Sequence, residues 1–389
     1  CGGQYDMRPM KLVRLFCGFG FLLVLAINVF TISRWNESRG VYDDVCYLRQ
    51  AHLFEKFGVR GLDTNIVFDD DHYLADKLKE VRFPAWNDVK TIPCHTFIPA
   101  ANKYVMQYPP GTGFALAMFP AGFQVIPLYV LANVAIFGFA LLAAFYARQS
   151  ALLALAAAFG DAAIYLMINP AKASYSMPPT MMVCAFAGFL TARLFTGEPR
   201  HRLMLAAAVG LLIGVSVNFR LPNLFLSAGY ALFFVGAFVR ARNAETFLQG
   251  AAFGIAFVVG LAPTLIANAI NAGSPFATTY GGVDVATPEL NSSVLWQYVR
   301  DVQFTLLVIA AVWTAWLWRF DPRGGRPQVA LVVAGNLAVN LIFFMTHPVF
   351  TPYYTVPIAL LSLWTLLFAT LDLPGELADK SALPQPFKT

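Results

Sequence analysis

Two adjacent carboxylates, Asp43 and Asp44, open a stretch from Asn36 to Val59 that lies directly after the first long apolar run of the chain. A carboxylate held where apolar segment meets water can take a proton from an attacking hydroxyl, a general-base role worth roughly 10² to 10⁴-fold in rate. Two neighbouring acids also raise the pKa of one of them. The same pair suits a second use, since Asp readily caps the free N–H groups at the start of a helix. Val45, Tyr47, Leu48, Ala51 and Phe54 recur at spacings of three and four. That spacing predicts an amphipathic helix lying along a membrane surface.

Other groups able to do chemistry are scattered through the chain. Arg220 stands beside an apolar run, where a charge is costly and often functional, although an arginine snorkelling to the headgroups would look the same. Lys103 is a second candidate cation for a phosphate, the alternative being attraction to anionic lipid. His347 and Tyr354 stand behind these two. Tyr108, Lys172, Tyr175 and Tyr353 are candidates for touching substrate, while Tyr353 and Tyr354, with Trp296 and Tyr298, fit an interfacial aromatic belt equally well. The run Asp69-Asp70-Asp71-His72 has oxygens for a divalent cation, but such a cluster in a polar loop is expected to be solvated, and no metal or other cofactor is indicated. Cys46 and Cys94 share one hydrophilic loop and can bridge if it faces an oxidising compartment.

The elements that must position these residues are membrane helices. Of the 389 residues 58% are hydrophobic and only 13% charged, with mean hydropathy +0.59; an ordinary soluble domain is about 25% charged. The fold class is therefore an all-α polytopic membrane protein. Candidate spans cover about 15–33, 125–146, 151–168, 177–194, 203–218, 221–238, 247–270, 304–317, 329–344 and 355–371, about ten crossings. Basic residues in short loops face the cytoplasm. Arg8, Lys11 and Arg14, then Arg148, then Arg193, Arg200 and Arg202, then Arg240 and Arg242, then Arg319, Arg323 and Arg326 all satisfy this when both termini are cytoplasmic. Residues 111–122 then form a short helix that dips in or lies on the outer face.

The chain divides into a cytoplasmic N-terminus (1–14), a first transmembrane helix (15–33) and a long outer loop carrying juxtamembrane helices and the acids (34–110). A transmembrane core (111–270), a second outer loop (271–303), C-terminal transmembrane helices (304–372) and a cytoplasmic tail (373–389) complete it. Met7 reads as a natural translation start, and the first apolar run is too long for a cleavable signal peptide. Asn36-Glu-Ser and Asn291-Ser-Ser match the glycosylation acceptor pattern, which is frequent by chance. No Walker loop, dinucleotide fingerprint or metal-spaced histidine pair is present, which argues against nucleotide-driven pumping and zinc proteolysis. No nucleic-acid partner is expected.

In order along the chain, Asp43-Asp44-x-x-Tyr47 with Ala51 and Glu55-Lys56-Phe57-Gly58, then Tyr108-Pro-Pro-Gly111 with Phe114, then Gly210 to Arg220, Pro263 to Gly273, Ser274-Pro-Phe with Tyr280, and Tyr353-Tyr-Thr-Val-Pro357 resemble segments of GT-C membrane glycosyltransferases. These are the polyprenyl-phosphate-sugar enzymes related to protein mannosyltransferases and lipid A aminoarabinose transferases. Two positions depart from the pattern: Gln107, where many relatives have histidine or lysine, and Tyr353, where they have arginine. The resemblance implies a polyprenyl-phosphate sugar donor, a hydroxyl acceptor on a lipid, polysaccharide or protein, and contact with membrane lipids. It also implies a bacterial inner-membrane location with the site on the periplasmic or extracellular side. Asp43 would be the catalytic base, Asp44 would orient it or the acceptor, and Arg220, Lys103, His347 and Tyr354 would hold the donor phosphate. The rival expectations are a secondary transporter, against which stands the single carboxylate, Asp161, deep within a span, and a non-catalytic subunit of an envelope-polysaccharide assembly.

Overall fold

The computed structural model describes residues 8–35, 42–147, 149–168, 174–281, 287–321, 324–347, 349–351 and 353–371; Lys172 lies outside them. The chain is an integral membrane protein built almost wholly of helices. Eight of them stand out: α1 (Arg8–Ile32), α5 (Val125–Tyr146), α7 (Met177–Thr196), α8 (Arg202–Val217), α9 (Ala228–Ala241), α10 (Ala244–Ala272), α12 (Val302–Phe320) and α13 (Arg326–Thr346). With their flanking turns, these eight are long and apolar enough to cross a membrane. Two more, α6 (Ser150–Ile168) and α14 (Val356–Thr370), are apolar along shorter stretches, and α11 (Ser292–Arg300) is a short helix leading into α12. Every residue of α14 from Val356 to Ala369 is buried, as expected of a helix that is hydrophobic all round. It forms the bundle's axis, packed against α6, α7, α12 and α13.

The tightest pairing is between α8 and α10, which run in the same direction. Gly210 and Gly214 sit one turn apart on α8 and let its backbone meet that of α10. A Cβ on Gly210 would strike the Phe253 carbonyl, and one on Gly214 the Phe257 carbonyl. This is the small-residue contact by which membrane helices pack in the absence of a hydrophobic drive between them. Pro263 lies inside α10 and, lacking an N–H and crowding the carbonyl four residues back, opens that turn. The side-chain amide of Asn218 fills the gap. Its Nδ2 donates to the Gly260 carbonyl at 2.7 Å, and its Oδ1 accepts from the Thr264 amide at 3.0 Å and the Thr264 hydroxyl at 2.7 Å. Gly273, at φ 80°, ends α10 in the left-handed conformation that glycine adopts without strain.

The first loop carries its own small elements: α2 (Tyr42–Phe57), α3 (Tyr73–Glu80), an antiparallel hairpin β1 (His95–Ile98) and β2 (Lys103–Met106), and α4 (Gly111–Ala117), which begins where the interfacial helix was predicted. The hairpin departs from the all-α expectation. Its strands alternate β-branched and aromatic residues, with Phe97 packed on Tyr104, about a turn at 99–102. Helix α2 departs too, since residues 44–51 and Leu53 are buried rather than only one face. The reason is enclosure: α4 covers one side and α3 the other, while a Cys46–Cys94 disulfide ties α2 to the hairpin.

Even the polar residues of α2 find internal partners. Arg49 is fully buried and donates to the carbonyls of Thr64 and Asn65, each at 3.0 Å, and to His95 Nε2 at 3.2 Å. Burial and the Arg49 charge hold His95 down to about 3, so its ring stays neutral and donates from Nδ1 to the Pro93 carbonyl at 2.9 Å. The expected span 221–238 begins with a 3₁₀ stretch, Leu221–Ser227, around Pro222, and becomes α-helical only at Ala228.

The α8–α10 contact is directly testable. Gly214→Val forces a branched side chain against the backbone of α10, and overpacking of this kind typically costs about 1–3 kcal/mol. The thermal unfolding midpoint in detergent should fall clearly. Gly236→Val, at a position with open space around it, should leave the midpoint where it was.

Candidate active site

Asp43 and Asp44 occupy the first turn of α2 but point to different places. Asp44 is buried at 4% exposure, and its Oδ1 accepts the Tyr175 amide at 3.0 Å. That bond ties the head of α2 to the approach to α7. Asp43 instead faces a cavity of about 210 Å³ at the loop end of the bundle. Tyr47, four residues on and so on the same helical face, lines the cavity beside it and stacks on Tyr108, with ring centroids 5.0 Å apart. The Tyr108 hydroxyl is the hydrogen-bonding partner of the Asp43 carboxylate.

The start of α4 holds Tyr108 in place. Two prolines fix the backbone at 109 and 110, and the Gly111 amide donates to the Asn218 carbonyl at 2.7 Å. Thr112 Oγ1 donates to the carbonyl of Phe219 at 3.1 Å. The next residue is Arg220, the cation of the cavity, with only 5% of its surface exposed. It donates from Nη1 to the Tyr353 carbonyl at 3.2 Å and touches Met177 Sδ at 3.3 Å. Its guanidinium lies 4.5 Å from the Tyr353 ring centroid and 5.3 Å from that of Tyr354. Among the described residues no carboxylate forms an ion pair with it, which leaves its remaining donors for an anion. Tyr280, Ser174, Thr351 and Pro222 complete the wall.

The electrostatics derive from this geometry. Burial pushes the Asp43 carboxyl above the usual carboxylate range, and the Tyr108 hydrogen bond and the Arg220 charge pull it part of the way back. Burial, with the Asp43 charge beside it, pushes the Tyr108 hydroxyl well up, so it stays protonated as a donor. The cavity therefore presents one carboxylate, one guanidinium with no carboxylate ion-paired to it among the described residues, and five tyrosines. The faces and hydroxyls of those tyrosines suit a ring that is apolar on its faces and polar at its edge.

Of the residues the sequence pointed to, Asp43, Tyr108, Arg220, Tyr353 and Tyr354 line this one cavity. Asp44 and Tyr175 stand behind it as a brace. His347 touches the Tyr354 ring at 5.8 Å but hydrogen-bonds within its own turn and does not reach the cavity wall. Lys103 is elsewhere: at the far end of β2, its Nζ pairs with Asp63 at 3.0 Å, so the expected phosphate role has no geometric basis. The acidic run lies at the surface, as expected, with Asp70, Asp71 and His72 exposed, and Asp71 meets His52 at 2.7 Å and Lys56 at 3.1 Å. Tyr47 and Tyr280 were legible only as motif positions. Ser174, Thr351 and Pro222 carried no signal.

No family model, curated protein or solved structure matches this chain. The chemistry of the site therefore rests on its own geometry.

A carboxyl whose folded-state pKa exceeds its unfolded value of about 3.9 costs stability at neutral pH, because its ionised form is desolvated. Below that unfolded value both states are protonated and the cost disappears. Asp43→Asn keeps an oxygen for Tyr108 and removes the charge. It should melt at a higher temperature than the parent near pH 7, with the gap closing as pH falls towards about 4.

Proposed function

We propose that this protein is a membrane glycosyltransferase of the GT-C type, moving a sugar from a polyprenyl phosphate to a hydroxyl acceptor with inversion at the anomeric carbon. The observation that carries the reading is the pairing of Asp43 and Arg220 across one tyrosine-walled cavity at the end of the helix bundle, where a lipid-anchored donor presents its head. The acceptor is a hydroxyl on a lipid, a polysaccharide or a protein.

In this reading the acceptor oxygen attacks the anomeric carbon while Asp43 takes its proton. The carbon–oxygen bond to the phosphate breaks, and the electron pair leaves with the polyprenyl phosphate. Arg220 meets the charge that develops there, a fixed donor in a site shielded from water. The raised basicity of Asp43 suits it to hold that proton. A phosphate is a good enough leaving group to need no general acid, and no metal enters the scheme. Tyr353 and Tyr354 keep the guanidinium in place by lying against it.

The same reading takes ten crossings, the eight long helices plus the shorter apolar α6 and α14. Both termini are then cytoplasmic, with the basic residues of the connecting turns at the end opposite the cavity. The Cys46–Cys94 bridge fits an oxidising compartment on the cavity side. The bacterial inner membrane, with the site facing the periplasm, satisfies both.

With purified protein and a polyprenyl-phosphate sugar, Asp43→Asn should lower turnover by roughly 10² to 10⁴-fold while donor binding persists. Arg220→Ala should lower turnover by about 10² to 10³-fold and weaken donor binding as well. The parent's rate should fall as pH drops through the raised Asp43 pKa, since only the ionised form accepts a proton. Unchanged sugar transfer in Asp43→Asn would exclude the base role. A parent that transfers no sugar but moves solute across vesicles would point to a transporter.

A further inference from the structure

The hydrogen bonds from Gly111 to Asn218 and from Thr112 to Phe219 form a seam. On its other side lies a larger cavity of about 900 Å³, bounded by α2, α4, α8 and α10. Its walls are apolar, with Phe54, Val59, Phe114, Met118, Leu211 and Val259 among them. At that volume it stands near the top of the range that takes up a whole ligand of several hundred daltons. Its depth matches a lipid chain. The Leu62 carbonyl on its rim accepts from Asn271 at 2.8 Å, and Val259 lies twelve residues further down α10, about 18 Å away at the helical rise. A leaflet is about half of a ~30 Å hydrocarbon core.

One charged side chain lines this groove among the described residues, and it is Glu55. Its Oε1 accepts from Gln124 at 2.7 Å. Gln124 stands at the start of α5, at the loop end of the bundle, so Glu55 is at the level of lipid headgroups. The neighbouring Lys56 is committed to Asp70 and Asp71 and offers no compensating cation. A lipid with an anionic head would bring its charge against a carboxylate here, with no cation in the wall. A lipid with a primary ammonium would place that group on the second oxygen of Glu55 and leave its phosphate in water.

We infer that this groove is a binding site for an aminophospholipid of the phosphatidylethanolamine class, its acyl chains lying between α4, α8 and α10 and its ammonium on Glu55. The site is separate from the tyrosine-walled cavity and does not depend on what that cavity catalyses. It gives the membrane itself a specific contact with the seam that positions Arg220.

The test is native mass spectrometry of the full-length protein, delipidated in detergent and offered phosphatidylethanolamine and phosphatidylglycerol of matched chains at equal concentration. The parent should retain the amine lipid roughly tenfold over the glycerol lipid, the ratio carried by one charge-assisted hydrogen bond. Glu55→Gln should bring the two to parity, and Glu55→Lys should reverse the order. Ala115→Trp, which fills the groove from α4, should reduce both adducts; its melting midpoint and monodispersity report whether it folds, and the Glu55 pair decides the question if it does not. Asp43→Asn should keep the parental ratio. Equal retention by the parent, an unchanged ratio in Glu55→Gln, or preferential uptake of a polyprenyl phosphate offered in competition would each overturn the proposal.

Discussion

One side chain joins the parts of this molecule that matter. Asn218 replaces the hydrogen bond that Pro263 disrupts in α10, donating to the Gly260 carbonyl and accepting from Thr264. In a hydrocarbon environment an unpaired amide or carbonyl costs several kcal/mol, so the Asn218 side chain has one place to go. Its own carbonyl then receives the Gly111 amide, and two residues later the chain reaches Arg220. The cation of the cavity and the Tyr108 segment that bears on Asp43 are thus fixed to the same point. The glycines of α8 bring the two helices close enough for this reach, and no longer side chain at those positions would allow it.

The second constraint is the enclosure of α2. A helix carrying Arg49 and Gln50 among its buried residues is tolerable only because each has partners: the Thr64 and Asn65 carbonyls for the arginine, and the Gly113 amide for the glutamine. Those contacts join α2 to the segment before α3 and to α4. The consequence for Asp43 is orientation. Asp44 is drawn to the Tyr175 amide, so its neighbour on the helix is turned into the cavity, where burial makes it a better base than a solvated aspartate.

How much of this was legible depends on whether a residue's neighbours lie close in sequence. The membrane helices announce themselves by long apolar runs, because a span must satisfy its own backbone. Asp43 and Arg220 stood out because charges beside apolar segments are unusual. The burial of α2 was not legible: its spacing of apolar residues describes one face, while its other faces are covered by α3, α4 and the hairpin from further along the chain. Lys103 stood beside Arg220 as a second candidate cation on the outer side, yet the hairpin register carries it to Asp63. Tyr353 and Tyr354 read as a membrane belt or a sugar platform, and only their stacking against a guanidinium places them at the site.

The cavity draws its wall from residues as far apart in sequence as Asp43 and Tyr354, which has a consequence for biogenesis. A ribosome delivers the first loop long before the last helices, so Asp43 meets Arg220 only after more than half of the chain has emerged, and the Tyr353 and Tyr354 wall only near its end. Cys46 and Cys94 are the loop's two cysteines, while Cys17 and Cys184 are carried within apolar helices. The early lobe can therefore lock its covalent geometry with two cysteines that it carries itself, and the late helices close on a template already set.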